Sequence, residues 1–515
     1  MERNWPMGVS KRNEELKKRF CLCMLSVFFW GLAAYGYCFL HNSFSHDSLS
    51  EFNGALGSNA WKIELGRILV PVYKMVFRTN LTLPWLCGGL TLLWIGLAVF
   101  LTAEMFEQKN PWAVFLTAGV FTVNLTVSAT AVTYVHDLDG NLFGMLCAAA
   151  AVFLWQKSRF GFLPGMVLIA MCLGFYQSYL AVGIVLALML CLKWLLDGER
   201  FGEVFRRGLA AIGMLVGGGV LYAVALLLVW KLTGTAPASG GTNSLDMLLT
   251  LTPRSLLRLI VEAYLDGAGR LFRVVTPYPQ PLTGAVTVVL LLLSVGLFAL
   301  ELRGKGRWET LLSLALAALL PLGMNMIYVL SSGLVHDLMV YGIWLAYLPA
   351  LLLAFRGGEG NRAMGAVRRV CCLLVGFVLF ANVQTANALS LKKDMEQDAF
   401  LSYMTRVVHT MENCEGYVPG QIPVVFVGQP PETTIPGFEK YARVTGADQS
   451  AVTGLAEDYR ARAYFQYVLN NPAVIPGSDV FSRMASDPRV QAMPSYPQNG
   501  SIALVDGVLV VKLSP

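Results

Sequence analysis

Apolar runs about as long as a bilayer is thick recur between residues 20 and 385, separated by short polar breaks. A hydrocarbon core about 30 Å thick takes about twenty apolar residues as a helix, so each run predicts a membrane span. The first is Phe20 to Leu40. Others lie near 83–105, 111–131, 140–156, 161–176, 178–196, 208–230, 282–301, 309–329, 338–355 and 367–385, eleven in all. As one helix, the stretch 161–196 would be about 54 Å long. It therefore reads as two short spans turning at Tyr176-Gln177-Ser178.

Two long connections break this rhythm. In the loop 41–82, Asn59 to Phe77 reads as one or two amphipathic helices at the membrane interface, with Trp61, Ile63, Leu65, Ile68, Leu69 and Val72 as apolar positions. In the loop 231–281, a flexible piece from Gly234 to Ser244 leads into a helical stretch, Ser255 to Val274. It carries Arg254, Arg258, Glu262, Asp266, Arg270 and Arg273 at spacings that put several on one face. From Leu389 the chain turns polar. Asp398 to Met411 and Leu455 to Leu469 read as helices and Pro423 to Val427 as a strand. Ser501 to Val505 and Val508 to Lys512 flank an Asp506-Gly507 hairpin turn. The expected architecture is an all-α polytopic membrane protein of about eleven transmembrane helices with a small C-terminal α+β domain. Its parts are an N-terminal segment 1–19, a membrane domain 20–388 and a tail domain 389–515.

Charge orients this picture. Loops assigned to the cytoplasm hold twenty Lys and Arg with the N-terminal segment included, whereas the short turns at 132–139, 176–178 and 330–337 hold none. Basic residues favour the cytoplasmic side. The N-terminus is therefore placed inside and, with eleven spans, the C-terminus outside a plasma membrane. Of the 515 residues 55% are hydrophobic and 14% charged, which excludes a soluble enzyme, a disordered chain and a disulfide scaffold. The net charge of +6 sits in short loops, so it does not suggest nucleic acid. Cys21 and Cys23 lack further ligands at metal spacing and read as buried thiols.

Candidate chemistry gathers on the external side. The chain has five His, and three of them precede Asp: His46-Asp47, His136-Asp137 and His336-Asp337. Chance predicts well under one such pair. All three fall at external span ends. Asp47 follows the first span directly, in Phe44-Ser45-His46-Asp47-Ser48-Leu49. A carboxylate there suits a general base that takes a hydroxyl proton, with His46 tuning it; the plain alternative is a helix cap. Asp137 and Asp139 form a second acidic turn, and Asp337 is either a third acidic group or the partner of an external Arg. Glu64 and Arg67 stand three apart and either pair or leave Arg67 to grip a phosphate with its planar fork. Lys62, Lys74 and Arg78 are further candidates, with anionic headgroups as the alternative partners. Arg258 and Arg273 face either a phosphate or solvent. The spans are nearly free of ionisable groups, which disfavours an ion-coupled transporter.

Together these motifs resemble a known family. They are a basic N-terminus, one span, an external acidic motif, and Gly66-Arg67-Ile68-Leu69-Val70-Pro71 before a Pro84-Trp85 span. Later come Tyr176-Gln177-Ser178-Tyr179-Leu180 and a tail with Met493 to Ile502 and Val508 to Leu513. The sequence resembles the bacterial type II, O-antigen-type glucosyltransferases. The resemblance implies a GT-C-type membrane glycosyltransferase that takes a hexose, expected to be glucose, from a polyprenyl-phosphate carrier. It passes the sugar to a hydroxyl of a cell-surface glycan on the external face. An acidic residue of the first external loop is then catalytic: Asp47, with Glu51 as fallback. The Gly-Arg element maps to Gly66, Arg67, Leu69 and Pro71. The resemblance assigns no role to His136, Asp137, His336 or Asp337. On physical grounds Asp137 joins the catalytic candidates, and His136, Tyr176, Gln177, His336 and Asp337 the substrate-binding ones. The donor that the resemblance implies is not a nucleotide sugar, so neither a metal nor a cofactor is expected; a divalent ion at the acidic clusters stays open as the alternative.

Two other classes stay open. A flippase or transporter of a lipid-linked glycan would move substrate without forming a glycosidic bond. A non-catalytic scaffold would bind a wall polymer and tolerate loss of the three His-Asp pairs.

Overall fold

The computed structural model describes residues 9–41, 44–45, 48–51, 58–238, 252–272, 281–356, 362–430, 435–441, 455 and 457–515. The first long helix, α1, is Val9–Leu40, and a one-turn 3-10 helix, Leu49–Glu51, follows it. Two short helices come next, α2 (Ser58–Glu64) and α3 (Val70–Arg78). Then come α4 (Pro84–Met105), α5 (Pro111–Thr122), α6 (Leu125–Thr133), α7 (Val135–Lys157), α8 (Phe162–Phe175), α9 (Leu180–Asp197) and α10 (Phe201–Thr233). The second half holds α11 (Pro253–Leu271), α12 (Pro281–Glu301), α13 (Arg307–Met324), α14 (Met326–Leu330), α15 (Tyr341–Trp344), α16 (Leu348–Ala354) and α17 (Arg362–Glu412).

Among the described residues, seven helices are long and apolar enough to cross a membrane: α1, α4, α7, α9 with the turn before it, α10, α12 and α17. The bent pair α5 and α6 makes an eighth if counted as one span. The other three expected spans are helical but fall short. Helix α8 has 14 residues, the run Tyr341–Ala354 is equally short, and α13 carries Arg307 and Glu309 in its first turn. Length and composition thus support seven or eight crossings among the described residues, against the eleven expected. The sequence reading also expected one or two helices over 59–77. There are two, parted at Gly66, whose φ of +77° suits glycine.

The break between α5 and α6 shows how this protein tolerates irregular backbone among its spans. The two helices meet at 44°. Asn124 caps α6 by accepting from Val127 N at 3.1 Å. The carbonyls left free by the break are claimed by distant donors. Tyr341 Oη donates to Phe121 O at 2.6 Å, Tyr35 Oη to Thr122 O at 3.0 Å and Asn382 Nδ2 to Val123 O at 3.0 Å. Without them these groups would lie unsatisfied in a nonaqueous interior.

A second core lies beyond the spans. Three strands, β1 (Val424–Val427), β2 (Ile502–Val505) and β3 (Val508–Lys512), form a sheet in the order β1-β3-β2. Strand β3 is parallel to β1 and antiparallel to β2. The expected hairpin is present, with both Asp506 and Gly507 at positive φ. The helices α18 (Asp458–Tyr467), α19 (Ser478–Ala485) and α20 (Pro488–Gln491) belong to this part of the chain. The 51-residue α17 joins the two cores. Its Cys371, Val375 and Leu379 pack in the membrane core, and its Phe400, Met404 and Val407 in the second. The polar shift read at Leu389 falls inside this one helix.

Candidate functional site

The site is built from the short helices after α1 and the first turn of α7. Helix α3 buries Val70, Tyr73, Lys74 and Arg78, all on one face at helical spacing, while Val72, Met75 and Val76 are exposed on the other. The preceding turn is pinned from three sides. Tyr222 Oη donates to Gly66 O at 2.9 Å, Trp230 Nε1 to Ile63 O at 2.9 Å, and Leu69 N to Gly174 O at 3.0 Å. A Cβ on Gly66 would meet the Tyr222 hydroxyl at 2.4 Å, so any other residue there would displace the clamp. Pro71 opens α3 in its first turn, where a missing N–H costs nothing. The Gly-Arg-x-Leu-x-Pro element is thus a tight turn into a helix, and it presents Arg67. Its guanidinium lies 4.4 Å from the centre of the Tyr176 ring.

Four cations meet three carboxylates here. Lys62 Nζ contacts Asp137 Oδ2 directly. Lys74 Nζ sits 2.8 Å from Glu51 Oε2 and 3.5 Å from Asp137 Oδ1, and Arg67 Nη1 lies 3.5 Å from Asp137 Oδ2. Arg78 Nε is 3.2 Å from Asp139 Oδ2, and its Nη2 donates to His136 O at 2.8 Å. Lys62, Lys74 and Arg78 are buried, and so not simply headgroup contacts. Charges this well shielded persist only when paired. Arg67, read as a possible partner of Glu64, reaches Asp137.

Electrostatics follow the packing. Burial opposes ionisation of Glu51, but His136, Lys74 and Lys62 outweigh it and bring its carboxyl down to about 2. Burial lowers Lys62 from its ordinary value, against the pull of Asp137. His336 is also lowered by burial, opposed by Asp337 and helped by Arg67 and Arg270. That link places His336 in the field of Arg67. Among the described residues, Arg67 Nε, His136 Nδ1 and His336 Nδ1 are buried polar atoms without a hydrogen-bond partner. A polar ligand entering here would meet groups with spare hydrogen-bonding capacity.

A second network joins from α11. Arg270 lies 2.9 Å from Asp266 and 2.8 Å from Asp337, and Asn325 Nδ2 donates to Asp266 at 3.0 Å. Thr126 Oγ1 of α6 donates to Asp337 O at 2.7 Å. The arginine of α11 that reaches the His336-Asp337 turn is therefore Arg270. Arg258, three turns away, is exposed and pairs with Glu262 at 2.7 Å. Arg273, His46 and Asp47 lie outside the described residues. Their neighbours Ser45 and Ser48 are buried, and Ser45 Oγ donates to Thr133 O at 2.6 Å, just before the His136-Asp137 turn. Gln177 Nε2 donates to Tyr222 Oη at 2.9 Å.

A family model described as Glucosyl transferase GtrII matches residues 36–353. The chain belongs to this family. Membership in the GtrII family makes a glucosyltransferase the activity class of this membrane protein, as the resemblance read from the sequence implied. No curated protein and no solved structure matches the chain. The match takes in Glu51, Lys62, Arg67, Lys74, Arg78, Asp137, Arg270 and Asp337, and ends before α17 and the sheet.

Sequence reasoning missed Arg270, Asp266 and Asn325 as a unit, because nothing in their spacing names Asp337 as the partner. It left Lys74 and Arg78 as secondary candidates. A signal was present: they share the face of Val70 and Tyr73, so they were bound to be buried with them.

Proposed function

We propose that this GtrII-family protein moves glucose from a polyprenyl-phosphate carrier to a hydroxyl of a cell-surface glycan, at the external face of the plasma membrane. One observation carries this reading. A cluster of buried Lys62, Lys74 and Arg78 with half-buried Arg67, in which Arg67 Nε, His136 Nδ1 and His336 Nδ1 lack a hydrogen-bond partner among the described residues, sits at the end of α1 opposite the Arg19–Glu104 pair. An anionic leaving group needs such cations, fixed in place before the reaction. In this mechanism a carboxylate of the first external loop takes the acceptor hydroxyl proton. The oxygen then bonds to the anomeric carbon, and the bond from that carbon to the phosphate oxygen breaks with its electrons going to phosphate. Arg67 and Lys62 stabilise the charge that develops. Asp47 is the base we favour, with Glu51 next. Asp137, engaged by Lys62, Lys74 and Arg67, serves as the counter-ion that holds the cations in register.

The rest of the molecule suits a lipid donor. A cavity of about 860 Å³ lies among α9, α12, α13 and α16. Lys109, Lys193 and Arg356 line it, as do Leu271 and Met324, next in sequence to Arg270 and Asn325. The carrier's hydrocarbon chain belongs there in this reading. The site's ion pairs gather at one end of the helices instead of running in file through them, which favours surface chemistry over a transport route.

The test is transfer by purified protein, in lipid nanodiscs, from radiolabelled polyprenyl-phosphate glucose to candidate surface glycans. Transfer is expected for the natural protein and its loss for Asp47→Asn. Near-normal transfer by Asp47→Asn together with loss in Glu51→Gln would move the base to Glu51. Movement of the carrier without a new glycosidic bond would sink the transferase.

A further inference from the structure

We infer that the C-terminal domain is a working part of the site: it sets the position of Glu51 by clamping the chain that leads into it. This rests on the transferase reading above. The clamp is visible in the second core. Phe44 and Leu49, from the loop after α1, are buried among Phe400 and Met404 of α17, Tyr464 of α18 and the sheet. The Phe44 ring stands edge-on to Tyr464, with centroids 6.2 Å apart. Phe44 N donates to Gln397 Oε1 at 2.9 Å. The Leu49–Glu51 turn packs on α18.

The same short segment touches the membrane domain on its other side. Ser45 Oγ donates to Thr133 O, Thr82 Oγ1 donates to Glu51 O at 2.6 Å, and Lys74 holds the Glu51 carboxylate at 2.8 Å. Phe44, Ser45, Leu49 and Glu51 are therefore held between two cores. One lies largely inside the family match and the other, apart from Phe44 and Leu49, beyond residue 353. Two apolar anchors five residues apart, Phe44 and Leu49, take hold in the tail domain, and the carboxylate two residues later engages the cation cluster. Loosening the anchors leaves Glu51 covalently intact but free to drift from Lys74. Gln397 and Tyr464 are positioning residues in this scheme, acting through Phe44 and Leu49. The tail domain is then no separate binding module.

The experiment uses the full chain in nanodiscs with radiolabelled polyprenyl-phosphate glucose. It compares Gln397→Ala, Gln397→Glu and Tyr464→Leu with the natural protein. For Gln397→Ala, kcat is expected to fall about tenfold or more, since displacements near 1 Å can cost even more. KM for the donor and the thermal unfolding temperature should stay close to normal, and Gln397→Glu, which keeps an acceptor, should restore kcat. The acid limb of the kcat profile should move to higher pH in Gln397→Ala, as Glu51 leaves Lys74. A purely structural role would lower the amount of folded protein without moving that limb. Normal kcat in Gln397→Ala overturns the inference, as does a loss that follows the folded fraction alone. If Tyr464→Leu does not fold, Gln397→Ala decides. A natural protein that transfers nothing strikes instead at the transferase reading.

Discussion

Lys62 and Asp137, 75 residues apart in the chain, form a direct ion pair with side chains only 6% and 4% exposed. Nothing local makes them partners. Removing one member of a buried pair leaves an uncompensated charge, at a cost of about 3–5 kcal/mol. Asp137→Asn should therefore destabilise the protein by about that much, since Lys62, Lys74 and Arg67 all lose their counter-ion together. Thermal unfolding in detergent measures it. Adding Lys62→Met should recover part of the loss, and strict additivity of the two substitutions would argue against the pair.

The Glu51 carboxyl gives a pH signature. Its folded value is brought down to about 2 from an ordinary 4.5, so ionised Glu51 favours the folded state. The sign follows: its contribution is fully present above about 4.5 and is lost as pH falls towards 2. The stability gap between the natural protein and Glu51→Gln should be widest at neutral pH and close across that window. A gap that stays constant down to pH 3 would show that Glu51 has no such partners.

Arg270 ties α11 to the His336-Asp337 turn. Contacting charged residues in one network couple by about 0.5–3 kcal/mol. A cycle of Arg270→Gln, Asp337→Asn and the double variant should show coupling in that range. Hydrogen exchange along Pro253–Leu271 should rise in each single variant. Coupling near zero would mean that the contact does not hold the helix.

Arg67 offers a test of phosphate recognition. Lysine keeps the charge but loses the planar fork and the stacking on Tyr176. Arg67→Lys should raise KM for the lipid-linked donor about tenfold, or about 1.4 kcal/mol, with a smaller change for the acceptor. An unchanged donor KM would remove Arg67 from the donor site.

How much of this was legible beforehand depends on the range of each interaction. Gly66 and Pro71 announce a turn entering a helix because backbone conformation is local. Asp506-Gly507 announces its hairpin for the same reason. The apolar stretches all proved helical, but α8 and α13 show that composition alone does not establish a crossing: one is short and the other begins on charged residues. Lys74 was visible as a cation, and its face was computable from Tyr73. Its engagement with both Glu51 and Asp137 was not.

From sequence alone came a membrane-embedded helical protein of glucosyltransferase type, a tail with strands, and three acidic turns set apart by their His-Asp pairs. Bilayer thickness and the 3.6-residue period carry that much, since both act within one segment. Tertiary structure decided the rest: that Asp137 is locked by three cations, that Arg270 and not Arg258 meets Asp337, and that Phe44 and Leu49 are seated in the tail domain. Those outcomes depend on how distant helices pack, and no spacing within a segment encodes which faraway charge will lie across the interface.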